Sequence, residues 1–108
     1  MSLTLRPARV DDVDAMLALI NGYAREDRML ERSRDFLVQH LRAFVVAVRG
    51  DTLLGCGALA VLTADLAEIR SLAVVPAAAG RGVGKALVEA CVAEARRLGL
   101  RRVFALTL

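Results

Sequence analysis

The chain has no tryptophan, one tyrosine and three phenylalanines in 108 residues. Aromatics are 4% of it, while hydrophobic residues are 56%, so its core must be aliphatic and alanine-rich. A nucleic-acid surface wants a dense basic patch interleaved with aromatics, and neither is present. The single histidine, His40, has no companion at a ligand spacing, so no metal site is expected. No Cys or Ser stands beside it, which leaves covalent catalysis without support. Cys56 and Cys91 lie far apart in apolar contexts and read as buried free thiols of a reducing cytosol, not as a disulfide. No apolar run approaches the roughly 20 residues that span a bilayer, and the N-terminus lacks the apolar core of a signal peptide. A cytoplasmic protein with no membrane partner is expected. There is no low-complexity linker and no internal repeat, so 1–108 reads as one domain. The net charge is +3, and much of it is Arg in the C-terminal third (Arg81, Arg96, Arg97, Arg101, Arg102). An acidic small-molecule ligand suffices to explain that bias.

What is present is a strand, a glycine loop and a helix in immediate succession. Leu66 to Val75 is an apolar strand stopped by Pro76. A loop of small residues ends in Gly80-Arg81-Gly82-Val83-Gly84, and an amphipathic helix runs from about Gly84 to Leu98 before Gly99 ends it. Such a loop offers backbone N–H groups at a helix N-terminus, where the dipole also favours an anion. Glycine lets a phosphate approach the backbone, and Arg81 and Lys85 add positive charge. The spacing is neither the dinucleotide fingerprint G-x-G-x-x-G nor the G-x-x-x-x-G-K-S/T loop, since Ala86 stands where a metal-binding hydroxyl should be. A glycine-rich turn that binds nothing is the competing reading.

Leu3-Thr4-Leu5-Arg6 reads as a short strand, with Pro7 marking an edge or an end. Asp11 is a candidate helix cap, followed by the stripe Val13, Met16, Leu17, Ile20, with Asn21-Gly22 as terminator. Tyr23 to Glu31 is expected to be irregular. Ser33 caps a second short helix carrying Phe36, Leu37 and Leu41. Strands follow at Phe44 to Val48, Leu53 to Leu62 and 66–75, and a last one at 102–108. The order is β-α-α-β-β-β-α-β. Short turns make the central strands an antiparallel meander, and the final crossover makes the last pair parallel.

The stretch Ala79-Gly80-Arg81-Gly82-Val83-Gly84 resembles the coenzyme-A-binding motif of the GNAT acetyltransferase superfamily, Gln/Arg-x-x-Gly-x-Gly/Ala, with Ala79 departing at the first position. The element order resembles the same family over essentially the whole chain. The resemblance implies an α+β fold: a mixed, mostly antiparallel sheet with helices on both faces. The family continues with another helix and two more strands, so this sequence is expected to be incomplete at its C-terminus. Locally, Gly55-Cys56-Gly57-Ala58-Leu59, Asp65 to Val74 and Arg102 to Thr107 look like amino-acid N-acetyltransferases of the N-acetylglutamate synthase type.

That resemblance implies acetyl-CoA as cosubstrate, held by Gly80, Arg81, Gly82, Val83, Gly84 and Lys85. The backbone of Leu72, Ala73 and Val74 is expected to take the pantetheine arm as an added strand, with the Val74 N–H as oxyanion donor. Glu68, in Ala67-Glu68-Ile69, is the expected general base. Alternation puts it on one face with Arg70, amid apolar sequence that would desolvate it. A solvent-facing Glu68 paired with Arg70 is the alternative. Arg32, in Leu30-Glu31-Arg32-Ser33 (with Met29 before it), is the candidate for a substrate carboxylate, because its planar fork matches one. Arg70 and Cys56 are further substrate-side candidates, with an ordinary core role the competing reading for Cys56. Tyr23 is a poor proton donor by position, since relatives carry theirs beyond the last strand. The acceptor implied is the α-amine of L-glutamate, in arginine biosynthesis. Alternatives are another amine (an aminoglycoside, a polyamine, a protein N-terminus) or a CoA-binding module without catalysis. Dimers are common in the family, and nothing in these residues fixes an interface.

Overall fold

The computed structural model describes residues 3–26 and 31–106. Five strands form one sheet in the order β1-β2-β3-β4-β5. They are β1 (Thr4–Pro7), β2 (Phe44–Arg49), β3 (Thr52–Val61), β4 (Leu66–Val74) and β5 (Arg102–Ala105). The first three pairings are antiparallel, and β5 runs parallel to β4 from Leu66↔Arg102 to Ile69↔Ala105. The chain therefore has the mixed, mostly antiparallel sheet that its element order implied. Among the described residues no helix is long and apolar enough to cross a membrane.

Among the described residues three helices cover both faces: α1 (Val13–Ala24) and α2 (Arg34–Gln39) on one side, α3 (Val83–Arg97) on the other. Val13, Met16 and Ile20 of α1 and Leu37 of α2 bury against Val46, Val48, Cys56, Ala58 and Ala73. On the opposite face Leu87, Cys91 and Ala95 of α3 bury against Ala47, Leu54, Leu59, Ala67 and Ile69. The i, i+4, i+8 spacing of Leu87, Cys91 and Ala95 is the apolar stripe that a helix lays on a sheet. Small residues keep α3 close. A Cβ on Gly55 would stand 2.9 Å from both Ala73 O and Leu87 Cδ1.

Several boundaries differ from the sequence expectation. Helix α1 does not stop at Asn21-Gly22 but runs on through Tyr23 to Ala24. The Asn21 carboxamide is used elsewhere: it accepts from Arg32 N–H and donates to Arg32 O, both at 3.0 Å. Asp11 does not cap that helix. A 3-10 turn, Val10–Asp12, precedes α1, and Asp12 closes it by accepting the Arg9 N–H at 2.7 Å. Ser33 does cap α2, accepting from Phe36 N–H at 3.0 Å. Pro7 ends β1 at the sheet edge, opposite Val45. Strand β4 ends at Val74, and a 3-10 turn at Pro76–Ala78 takes the chain into the glycine loop. Helix α3 starts at Val83 and ends at Arg97, one residue earlier at each end than expected. Residues 107–108 of the last expected strand lie outside the described residues.

Candidate functional site

Strand β4 carries the chemistry, and a bulge sets its phase. Cys56 pairs with Ala73 and Ala58 with Arg70, so Ser71 and Leu72 together face Gly57. Ser71 is left-handed at φ 52°, a conformation that costs a non-glycine residue roughly 1–2 kcal/mol. The extra residue shifts the alternation. Before it, Ala67 and Ile69 face α3, which leaves Glu68 and Arg70 on the α1/α2 face as the sequence implied. After it, Ala73 takes the α1/α2 face and Leu72 and Val74 pack towards α3. A Cβ on Gly57 would come within 3.1 Å of Leu72 Cδ1, so glycine gives the bulge its room.

The bulge also fixes where the Val74 polar groups point. Val75 N–H donates to Leu54 O at 2.8 Å, which makes the neighbouring Gly55–Val74 pair a non-hydrogen-bonded one. The Val74 N–H and C=O therefore face away from β3. On that side β5 is paired only as far as Ile69 among the described residues. The Val74 carbonyl is met there by the Tyr23 hydroxyl, which donates to it.

Next to this edge the glycine loop turns into α3. Gly80 and Gly82 are left-handed, at φ 77° and 84°, and nothing lies within 4 Å of where a Cβ would be on either. Among the described residues, no turn or loop bond uses an amide from Gly80 to Lys85 as donor. The first to do so is Ala86, to Gly82 O at 3.0 Å. Gly84 packs against Val74, its Cβ position 3.7 Å from Val74 Cγ2. A cavity of about 490 Å³ opens where edge and loop meet, lined by Leu72, Ala73, Val74, Gly80, Gly82, Gly84 and Lys85. Ala78, Ala79 and Tyr23 complete its wall. Tyr23 is the residue that sequence reasoning set aside. The signal for it was the run of α1 past Asn21-Gly22, which carries the phenol to β4.

Other sequence candidates lie elsewhere. The Val83 side chain is core, buried beside Gly55, so only its amide remains for a ligand. Arg81 is exposed and does not line the cavity, whereas Lys85 does. Among the described residues neither cation is in an ion pair. Glu68 is not solvent-facing: it is 9% exposed, and Arg70 Nε donates to its Oε1 at 2.7 Å. It does not line the cavity either, although it shares the α1/α2 face that the cavity reaches through Ala73 and Tyr23. Arg32 does not line the cavity: its guanidinium lies over the Phe36 ring at 4.5 Å, and its buried Nε has no acceptor among the described residues. Leu30 and Met29 fall outside the described residues. Cys56 corrects the substrate-side expectation: it is fully buried in the α1/α2 core, and its thiol donates to Ser71 O at 3.6 Å. Burial pushes this thiol up to about 12. His40 caps the end of α2 and stacks on Phe36 at 4.3 Å. Among the described residues no three metal-ligating side chains cluster.

The Acetyltransferase (GNAT) family model matches residues 10–108. An uncharacterized N-acetyltransferase of Chlorobaculum tepidum is 42% identical over 96% of this chain and 67% of its own length. An amino-acid acetyltransferase of Mycobacterium tuberculosis is 43% identical over 95% of this chain, which spans 60% of that relative. A crystal structure from the same organism, in complex with CoA and NLQ, superposes with a TM-score of 0.92 at 42% identity, covering 97% of this chain and 64% of that one. N-acetylglutamate synthase of Neisseria gonorrhoeae, complexed with coenzyme A and N-acetyl-glutamate, superposes with a TM-score of 0.95 at 34% identity, over 99% of this chain and 26% of that one. The chain thus spans about two thirds or less of the length of each of these four. Sequence and backbone agree over the same residues, glycine turn and β4 included, and this chain belongs to the GNAT family of acetyltransferases.

Proposed function

We propose that the protein transfers the acetyl group of acetyl-CoA to the α-amine of an amino acid, with L-glutamate as the acceptor. The observation that carries the reading is the glycine turn, whose amides from Gly80 to Lys85 make no well-formed turn or loop bond among the described residues, beside a cavity at the part of β4 that β5 leaves unpaired. The cavity suits the cosubstrate's diphosphate and arm. The loop has no Cβ at Gly80, Gly82 or Gly84 to keep a phosphate off the backbone, Lys85 supplies charge, and a β-edge accepts an amide-bearing chain. The amides of Gly80 to Lys85 would hold the diphosphate, with Arg81 adding charge from the loop's outer side. Leu72 to Val74 would hold the arm. When bound, the thioester would supply an activated acetyl group, its C–S bond breaking as the C–N bond forms and its sulfur leaving as the CoA thiol with a proton from solvent.

The chain's own residues then have three tasks. An ammonium cannot attack, so Glu68 takes its proton, directly or through water. Arg70 holds that carboxylate in place. The Val74 N–H aims a donor at the acyl oxygen where negative charge develops, and Arg32 receives the carboxylate of the amino acid. The amino-acid acetyltransferase and N-acetylglutamate synthase relatives support this acceptor class.

One observation favours a second reading. The Glu68 carboxylate is already engaged by Arg70, as it would be in a module that binds CoA and turns nothing over. A thiol-release assay separates the two. The protein is given acetyl-CoA with glutamate, glutamine, aspartate, spermidine and an aminoglycoside in turn. Thiol release with glutamate is expected. Release only with other amines would reassign the acceptor, and CoA binding without release from any of them would remove the enzyme reading.

A further inference from the structure

Helix α1 meets the unpaired edge of β4 at Tyr23, whose hydroxyl donates to the Val74 carbonyl. The strand register puts this carbonyl on the side away from β3, where a strand-like ligand would add. A carbonyl oxygen can accept twice, but the Tyr23 side chain also lines the cavity beside it. Ring and hydroxyl therefore stand where the amide of an entering arm would lie. At the glycine-loop end of the cavity, no described residue lies within 4 Å of the Cβ positions of Gly80 and Gly82.

We propose that Tyr23 is a competing occupant of the cosubstrate edge. Its phenol holds the Val74 acceptor until the arm of the ligand arrives, and binding exchanges one O–H···O=C bond for one N–H···O=C bond as the ring moves aside. The proposal rests on the reading of this cavity as the acetyl-CoA site. It makes Tyr23 a determinant of which ligands bind: those with an amide-bearing arm must displace it, and those with phosphates alone need not.

Two probes test it, CoA and adenosine 3′,5′-bisphosphate, which lacks the arm. Calorimetric titration of Tyr23→Phe should show CoA binding about fivefold tighter than in the unaltered protein. That is the equivalent of one ordinary hydrogen bond of about 1 kcal/mol. Binding of adenosine 3′,5′-bisphosphate should not change. The chain has a single tyrosine, so 3-fluorotyrosine incorporated into the otherwise unaltered protein gives one ¹⁹F resonance, independent of whether the variant folds. CoA should shift it, and adenosine 3′,5′-bisphosphate should not. Equal or weaker CoA binding in Tyr23→Phe, an equal gain for both probes, or a resonance that CoA leaves in place would each overturn the competition. Failure of the unaltered protein to bind either probe would instead overturn the acetyl-CoA reading, and the competition with it.

Discussion

The Asp12 carboxylate accepts three hydrogen bonds: two from the Arg6 guanidinium, at 2.8 and 3.0 Å, and one from the Arg9 N–H at 2.7 Å. It joins the first strand to the first helix. The Arg6 bonds, opposed by burial and helped by the Arg9 amide, hold its proton affinity below the ordinary carboxylate range. A carboxyl held lower in the folded than in the unfolded chain stabilises above the unfolded value and stops doing so as pH falls through the folded one. Asp12→Asn should therefore cost about 2 kcal/mol at neutral pH, and the deficit should shrink on acidification to about pH 3, as read by urea unfolding at both pH values. Glu68 has a different kind of test. Under the proposed mechanism Glu68→Gln should lower kcat by about 10²–10⁴, leaving slow transfer. An unchanged kcat in the thiol-release assay would return Glu68 to a purely structural pairing with Arg70.

At the scale of elements, the site depends on how closely β3, β4 and α3 approach. Gly55 sits where all three meet. An added Cβ would stand 2.9 Å from a backbone oxygen, Ala73 O, and 3.2 Å from Val83 Cγ1. A backbone atom cannot give way as a side-chain end can. Gly55→Ala is expected to destabilise by about 2–3 kcal/mol and to displace the Ala73–Val74 edge. Chemical unfolding and CoA titration on the same variant check both effects. Gly50 makes a useful control for alanine substitution. It is also left-handed, at φ 61°, but nothing lies within 4 Å of its Cβ position, so Gly50→Ala carries only the backbone strain.

For the molecule as a whole, helices cover the sheet on both faces, and the two thiols report on that cover. Cys56, on β3, lies under α1 and α2, and Cys91, on α3, packs against the opposite face of the sheet. Both residues are buried, and burial pushes their thiols up to about 12 and about 11, so little thiolate exists at neutral pH. Both should resist a disulfide-exchange reagent at pH 8 in the folded protein and react stoichiometrically in denaturant. A fast-reacting thiol in the native state would mean that one face of the sheet opens, and which cysteine reacts would identify the face.

The order of elements, the Ser33 cap and the glycine turn before α3 were legible in the sequence. Each is set by residues a few positions apart, through propensity, capping and the freedom of glycine. Helices on both faces of the sheet were implied by the resemblance of the glycine motif and the element order to the GNAT family, not by periodicity, which marks the apolar side of each element but not which elements share a face. The bulge at Ser71 was not, because serine carries no left-handed signal of its own and the bulge exists to keep Leu72 and Val74 against α3 while Ala73 faces α1. Nor was the meeting of Tyr23 with Val74, which are 51 residues apart. A bond across that separation depends on where packing sets α1 against the sheet, and no local pattern encodes it. The sequence alone thus determined what the pieces are and that one of them is shaped for an anion. Tertiary packing decided which carbonyl stands open at the site and which side chain already occupies it.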